Sequence, residues 1–195
     1  LIVGLAGKTC AGKDSLVPFF VERGFSVIDA DKIGHQALTA NKEAVVSRFG
    51  TVDRAALGRL VFSNAQALAD LEDITHPWIA ERIREAVAAV NGDVVLNVVL
   101  LHKQQLFRLC DVVVWVESPL WTRVLRARSR DGWGWGRIFA RIWAQRKLGP
   151  QVFPADVDIL RVDNRGTLRR ARTALEARFG RGPAFSKKED THEKQ

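Results

Sequence analysis

Short runs of apolar residues recur along this chain, and between them apolar positions repeat every three or four residues, the spacing of a helix face. Leu1–Leu5 is an apolar run leading into glycines, and Phe25–Ile28, 93–101, Val112–Val116 and Val157–Val162 are the later strand candidates. The runs at 93–101 and 112–116 do not alternate in polarity, which is the pattern of strands buried on both faces of a parallel sheet. Asp14–Arg23 reads as a helix bent early by Pro18 and closed by Gly24. From Asp31 to about Val90 the periodicity is helical, with breaks expected at Gly50 and at His76-Pro77, because a residue before proline resists the α region. Pro119 opens a further helix, and Leu168, Ala171, Leu175 and Phe179 form the apolar stripe of a closing one.

Strands alternating with helices predict an α/β domain, a parallel sheet flanked by helices. We expect one domain over residues 1–179 and a polar, disordered tail over 180–195. The longest apolar run, Val94–Leu101, is interrupted by Asn97 and is too short to span a bilayer, which takes about 20 residues. No basic stretch followed by an apolar one opens the chain, so no secretory leader is expected. Cys10 and Cys110 have no metal-ligand spacing, so a reduced, cytoplasmic protein without membrane association is expected. The net charge of +8 and the arginines after residue 120 ask for an anionic partner or a solvated basic face. No nucleic-acid motif accompanies them, so a small polyphosphate is preferred over nucleic acid.

The segment Gly7-Lys8-Thr9-Cys10-Ala11-Gly12-Lys13-Asp14-Ser15 sits between a strand and a helix and carries the glycine and lysine spacing of a phosphate-binding loop. Glycines let the backbone wrap a phosphate, amide N–H groups and the helix N-terminus supply positive potential, and Lys13 reaches the β- and γ-phosphates. Asp14 stands where such loops carry the Mg²⁺-ligating hydroxyl. It is either a metal ligand, with Ser15 beside it, or simply a favourable acid in a first helical turn. Cys10 is either a reactive thiol at a helix N-terminus or a small residue that fits the loop. Asp29-Ala30-Asp31 ends the second strand on the side where ligands bind such sheets, so Asp31 is the candidate to orient or deprotonate a substrate hydroxyl, with a helix N-cap as the other reading of an acid at this strand end.

Together with Ile74-Thr75-His76-Pro77, Leu100-Leu101, Gln145 and Asp163-Asn164, these segments make the chain resemble the dephospho-coenzyme A kinases over nearly its whole length. The resemblance implies a P-loop kinase fold with a core, a helical substrate region at about 31–91 and a lid at about 127–153. It implies transfer of the ATP γ-phosphate, with Mg²⁺, to the 3′-hydroxyl of dephospho-coenzyme A. By that likeness Asp31, Lys13 and Arg126 serve catalysis. Gly7, Thr9, Cys10, Ala11, Gly12, Lys13, Asp14, Ser15, Arg130 and Asn164 bind ATP. Asp29, Asp31, His76, Pro77 and Leu100 bind the acceptor, with a capping or core histidine as the other reading of His76.

Four departures stand out. Asn97 and Lys103 replace acidic residues usual in the family, Arg123 replaces a usual glutamine, and the lid carries Gly132-Trp133-Gly134-Trp135-Gly136. Trp135, Ile138, Ile142 and Trp143 are expected to pack as an apolar helix face rather than stack on a base. A kinase for another acceptor, such as a nucleoside monophosphate, and a nucleotide-binding protein with weak catalysis are the alternatives.

Overall fold

The strand that opens the chain lies at the centre of a five-stranded sheet whose order is β2-β3-β1-β4-β5. The computed structural model of the chain describes residues 1–98, 101–131, 134–166 and 168–180, with the side chains of 62, 63, 130, 131 and 137 outside that description. The strands are β1 (Ile2–Gly7), β2 (Ser26–Asp29), β3 (Val94–Asn97), β4 (Val112–Glu117) and β5 (Ile159–Asp163). Every pairing is parallel, with Leu5 opposite Asn97, Asn97 opposite Asp29, and Gly7 opposite Val116.

Successive strand side chains point to opposite faces, so the apolar runs fill two cores at once. On one face Val3, Leu5, Val95, Val112, Val114 and Val162 pack with Phe19 and Phe20 of α1 (Val17–Val21) and with Leu175 of α8 (Leu168–Phe179). Phe20 is the hub, edge-on to Phe19, Phe25 and Phe179 with ring centroids 5.3, 5.4 and 5.6 Å away. On the other face Val94, Leu96, Val113 and Trp115 meet Ala80 and Ile83 of α5 (Ala65–Ala88), together with Leu101, Phe107 and Phe153. Gly4 is required where β1 crosses this second region: a Cβ there would lie 2.5 Å from Leu101 Cδ2 and 2.9 Å from the Cys110 sulfur.

The remaining helices are α2 (Ala30–Ala40), α3 (Lys42–Phe49), α4 (Arg54–Ser63), α6 (Leu120–Asp131) and α7 (Trp135–Ala144). Several expectations need correction. The helix expected from Asp14 begins instead as a 3₁₀ turn over Lys13–Leu16 before α1, where Pro18 sits in the first turn and costs no helical donor. The helical stretch after Asp31 breaks at Gly50, as expected, but also at Asn41 and Asn64. Gly50 has φ 72° and its N–H closes on Val46 O at 2.8 Å. Asn64 accepts from Gln66 N and Ala67 N as the cap of α5.

His76-Pro77 does not break the chain: α5 runs through it for 24 residues. Its buried face of Thr75, Ala80 and Ile83 is held against the second core and α2, and this packing outweighs the local preference of the residue before proline. The third strand is shorter than 93–101 and ends at Asn97, with residues 99 and 100, and so Leu100, outside the description. The proposed tail lies outside it from residue 181 onward.

The lid tryptophans also differ from expectation. Ile138 is buried on α6 and Ile142 packs beside it, but Trp135 and Trp143 are 49% and 67% exposed. Trp135 stacks on Phe139 in solvent, with the Arg128 guanidinium over its ring. Helical geometry is the reason: residues 138 and 142 share one stripe of α7, and 135, 139 and 143 lie on the next. Among the described residues no helix is long and apolar enough to cross a membrane.

Candidate active site

The carboxyl ends of β1, β2 and β3 open into a cavity of about 820 Å³, within the size range of small-molecule sites. The phosphate loop forms one wall from Lys8 to Asp14; Ala30, Asp31, Gly34 and His35 of α2 form another; His76, Ile79, Ala80 and Ile83 of α5 close the far side. Val98, Lys103, Gln104 and Leu106 line the base, and Arg141 of α7 and Gln145 at its C-terminus lean in. The chain therefore brings Lys13 and Asp14, Asp31 and His76, remote in sequence, onto one open cavity.

Two residues of the loop take left-handed backbone, Cys10 at φ 60° and Gly12 at φ 88°. Gly12 cannot be replaced without strain, because a Cβ there would run into Asn164 and Arg126. Lys13 is buried, and its Nζ donates to Asp14 Oδ1 at 2.8 Å and to Asn97 Oδ1 at 2.7 Å. Asn97 in turn donates through Nδ2 to Asp14 Oδ1 at 3.0 Å, closing a three-residue network around one carboxylate oxygen. A buried ammonium needs such partners, and here Asp14 supplies the carboxylate and Asn97 an amide oxygen.

Asp29 and Asp31 divide their work. The Asp29 side chain accepts from the Asp31 N–H at 2.9 Å as the N-cap of α2, which sets the helix start and leaves the Asp31 carboxyl exposed on the cavity wall. His76 is half-buried, and that burial pushes its pKa below the usual 6.5 against the opposing pull of Glu72, with Lys103 adding to the depression. The imidazole is thus neutral near pH 7 and able to donate and accept. Lys103 is ion-paired with Glu72, so the ammonium at the base of the cavity is compensated.

Other expected residues stand elsewhere. Arg126 and Asn164 do not line the cavity but brace the loop from behind. Arg126 Nη1 donates to Ala11 O at 2.9 Å, and the buried Asn164 donates through Nδ2 to the same carbonyl at 2.9 Å. Ser15 is exposed outside the lining, Pro77 lies within α5 away from it, and Gly7 is buried beneath the loop. The Arg130 side chain lies outside the description. Gln145, notable in the sequence only as part of the resemblance, accepts from the Thr9 N–H at 2.7 Å and ties the end of α7 to the loop.

No group of three or more His, Cys, Asp or Glu side chains among the described residues is arranged to hold a metal. One half-exposed carboxylate on the loop, Asp14, nonetheless suits Mg²⁺, which keeps waters and phosphate oxygens and takes only one or two protein carboxylates.

Residues 1–170 match the family model CoaE, dephospho-CoA kinase. A dephospho-CoA kinase of Carboxydothermus hydrogenoformans is 32% identical over 189 residues, covering 89% of this chain and 90% of that protein. Among solved structures, TT1252 from Thermus thermophilus superposes with a TM-score of 0.73 at 27% identity, covering 92% of this chain and 97% of that one. A dephospho-CoA kinase from Campylobacter jejuni shares the fold, with a TM-score of 0.57 at 23% identity over 90% of this chain and 94% of its own. With the loop, the carboxylate-bearing helix start and a family match over residues 1–170, the chain belongs to the dephospho-CoA kinase family.

Proposed function

We propose that this chain transfers the γ-phosphate of ATP to the 3′-hydroxyl of dephospho-coenzyme A, the last step of coenzyme A synthesis. The observation that carries the reading is one cavity with Lys13 and its phosphate loop on one wall and the exposed Asp31 on another. ATP seats its phosphates against the loop amides and Lys13, which exchanges its bonds to Asp14 and Asn97 for the β- and γ-oxygens. The acceptor lies toward α2 and α5, where Asp31 takes the hydroxyl proton as that oxygen bonds to the γ-phosphorus. The bond from the γ-phosphorus to the bridging oxygen breaks, and ADP leaves. Mg²⁺ arriving with ATP would neutralise charge on the phosphate oxygens, and Asp14 is the side chain that would hold it.

ADP release measured with dephospho-coenzyme A, with a nucleoside monophosphate and with neither tests this reading. Release that depends on dephospho-coenzyme A supports it. Release driven only by the monophosphate, or ATP binding without acceptor-dependent turnover, overturns it.

Asp14 provides a sharper test of the metal. In an Asp14→Ser protein the Mg²⁺ concentration giving half-maximal turnover should rise at least severalfold, because a neutral hydroxyl replaces a charged ligand. Titrating Mg²⁺ against turnover at fixed ATP reads this directly. An unmoved midpoint would leave Asp14 as a helix-start acid that does no more than hold Lys13.

A further inference from the structure

The guanidinium of Arg123 on α6 is buried, only 6% exposed, against the outer side of the phosphate loop. Its Nε donates to Thr9 O at 2.9 Å, while its Nη2 is buried with no hydrogen-bond partner among the described residues. Among the described residues no carboxylate forms an ion pair with it. A buried, uncompensated cation is costly, and a site that retains one gains when an anion arrives.

The neighbouring contacts show where that gain is directed. Arg126 Nη1 donates to Cys10 O at 3.4 Å as well as to Ala11 O, so three successive carbonyls of the loop, at 9, 10 and 11, face guanidinium groups from α6. All peptide bonds in the described chain are trans. Across a trans peptide the carbonyl and the following N–H point in opposite directions. Drawing the carbonyls of Thr9 and Ala11 outward therefore aims the amides of Cys10 and Gly12 inward, where both residues line the cavity. The intervening amide, that of Ala11, is taken within the loop by Lys8 O at 2.9 Å. The Gln145 side chain fixes the other side of Thr9 through its N–H.

We propose that Arg123 is a positioning residue for polyphosphate. It holds the Thr9 peptide so that the Cys10 amide faces the anion, and it lends the loop a buried positive charge that no carboxylate among the described residues pairs with. Arg123 touches the loop backbone, not the substrate, so its effect should fall on the phosphate chain alone and be indifferent to base and acceptor. The proposal rests on the phosphate-loop reading of the cavity.

The test uses the full chain and its Arg123→Gln and Arg123→Lys variants, titrated by calorimetry with ATP and with inorganic tripolyphosphate, alongside melting temperatures without ligand. Glutamine keeps an N–H donor and removes the charge. Its affinity should fall about ten- to hundredfold, by the same factor for both ligands, as loss of one charge-assisted contribution would give. Its unliganded melting temperature should hold or rise, because the buried charge is gone. Lysine, which keeps the charge but not the fixed guanidinium donor, should lose less than glutamine and again equally for both ligands. A glutamine protein that melts lower yet binds tripolyphosphate as the parent does makes Arg123 a packing residue and overturns the proposal. If that protein does not fold, the lysine variant decides, and parental affinity there overturns the proposal too. Failure of the parent chain to bind either ligand overturns the phosphate-loop reading itself, and the proposal with it.

Discussion

Replacing Lys13 with alanine should lower phosphoryl transfer by at least about 10²-fold, the usual cost of removing one charged contact to a transition state. Asp14 Oδ1 and Asn97 Oδ1 both accept from the Lys13 ammonium. On the proposed reading ATP takes that ammonium over with its β- and γ-oxygens, so the variant loses the attraction in the bound complex as well as in the transition state, and ATP affinity should fall together with rate. ADP release in the presence of dephospho-coenzyme A, paired with a calorimetric ATP titration, measures both. Near-parental turnover would remove Lys13, and the loop with it, from the catalytic site.

Asp31→Asn should separate rate from binding. The amide keeps the size of the carboxylate but cannot accept a proton, so turnover should drop about 10²- to 10⁴-fold, the range of general acid–base contributions. Asp31 stands on α2, across the cavity from the loop. ATP affinity should therefore stay close to the parent's. The Asp31 backbone N–H, not its side chain, makes the cap bond to Asp29, so the helix start survives the change. If ATP affinity collapses along with the rate, Asp31 serves the metal or the loop instead of the acceptor hydroxyl.

The fold and the phosphate loop were readable because they rest on local signals, and the family through the resemblance of motifs along the chain. Each strand of the sheet shows as an apolar run, and Gly12 and Lys13 at their spacing mark the loop without any knowledge of the rest of the chain. Where local signals conflicted with packing, packing prevailed: Pro77 marks a break in the sequence but sits inside α5, whose buried face is anchored along its length. Trp135 and Trp143 showed the opposite limit. Their apolar character says that they can be buried, but which stripe of α7 meets α6 depends on the register of two helices, and Ile138 holds that place.

By itself, then, the chain's sequence determined an α/β domain, a phosphate-binding loop from Gly7 to Ser15, and the acidic start of α2 at Asp29 and Asp31, because strand and helix periodicity, glycine spacing and capping act between near neighbours. Only the tertiary structure decided how those parts are wired. Asn97 meets Lys13 across 84 positions, and Arg123 meets the Thr9 carbonyl across 114. It also decided that Arg126 and Asn164 stand behind the loop and not in the cavity. An arginine or an asparagine has the same donors wherever it stands. Which carbonyl or carboxylate those donors meet is set by the parallel stacking of β1 between β3 and β4 and by the return of α6 over the loop, and no short stretch of sequence encodes either.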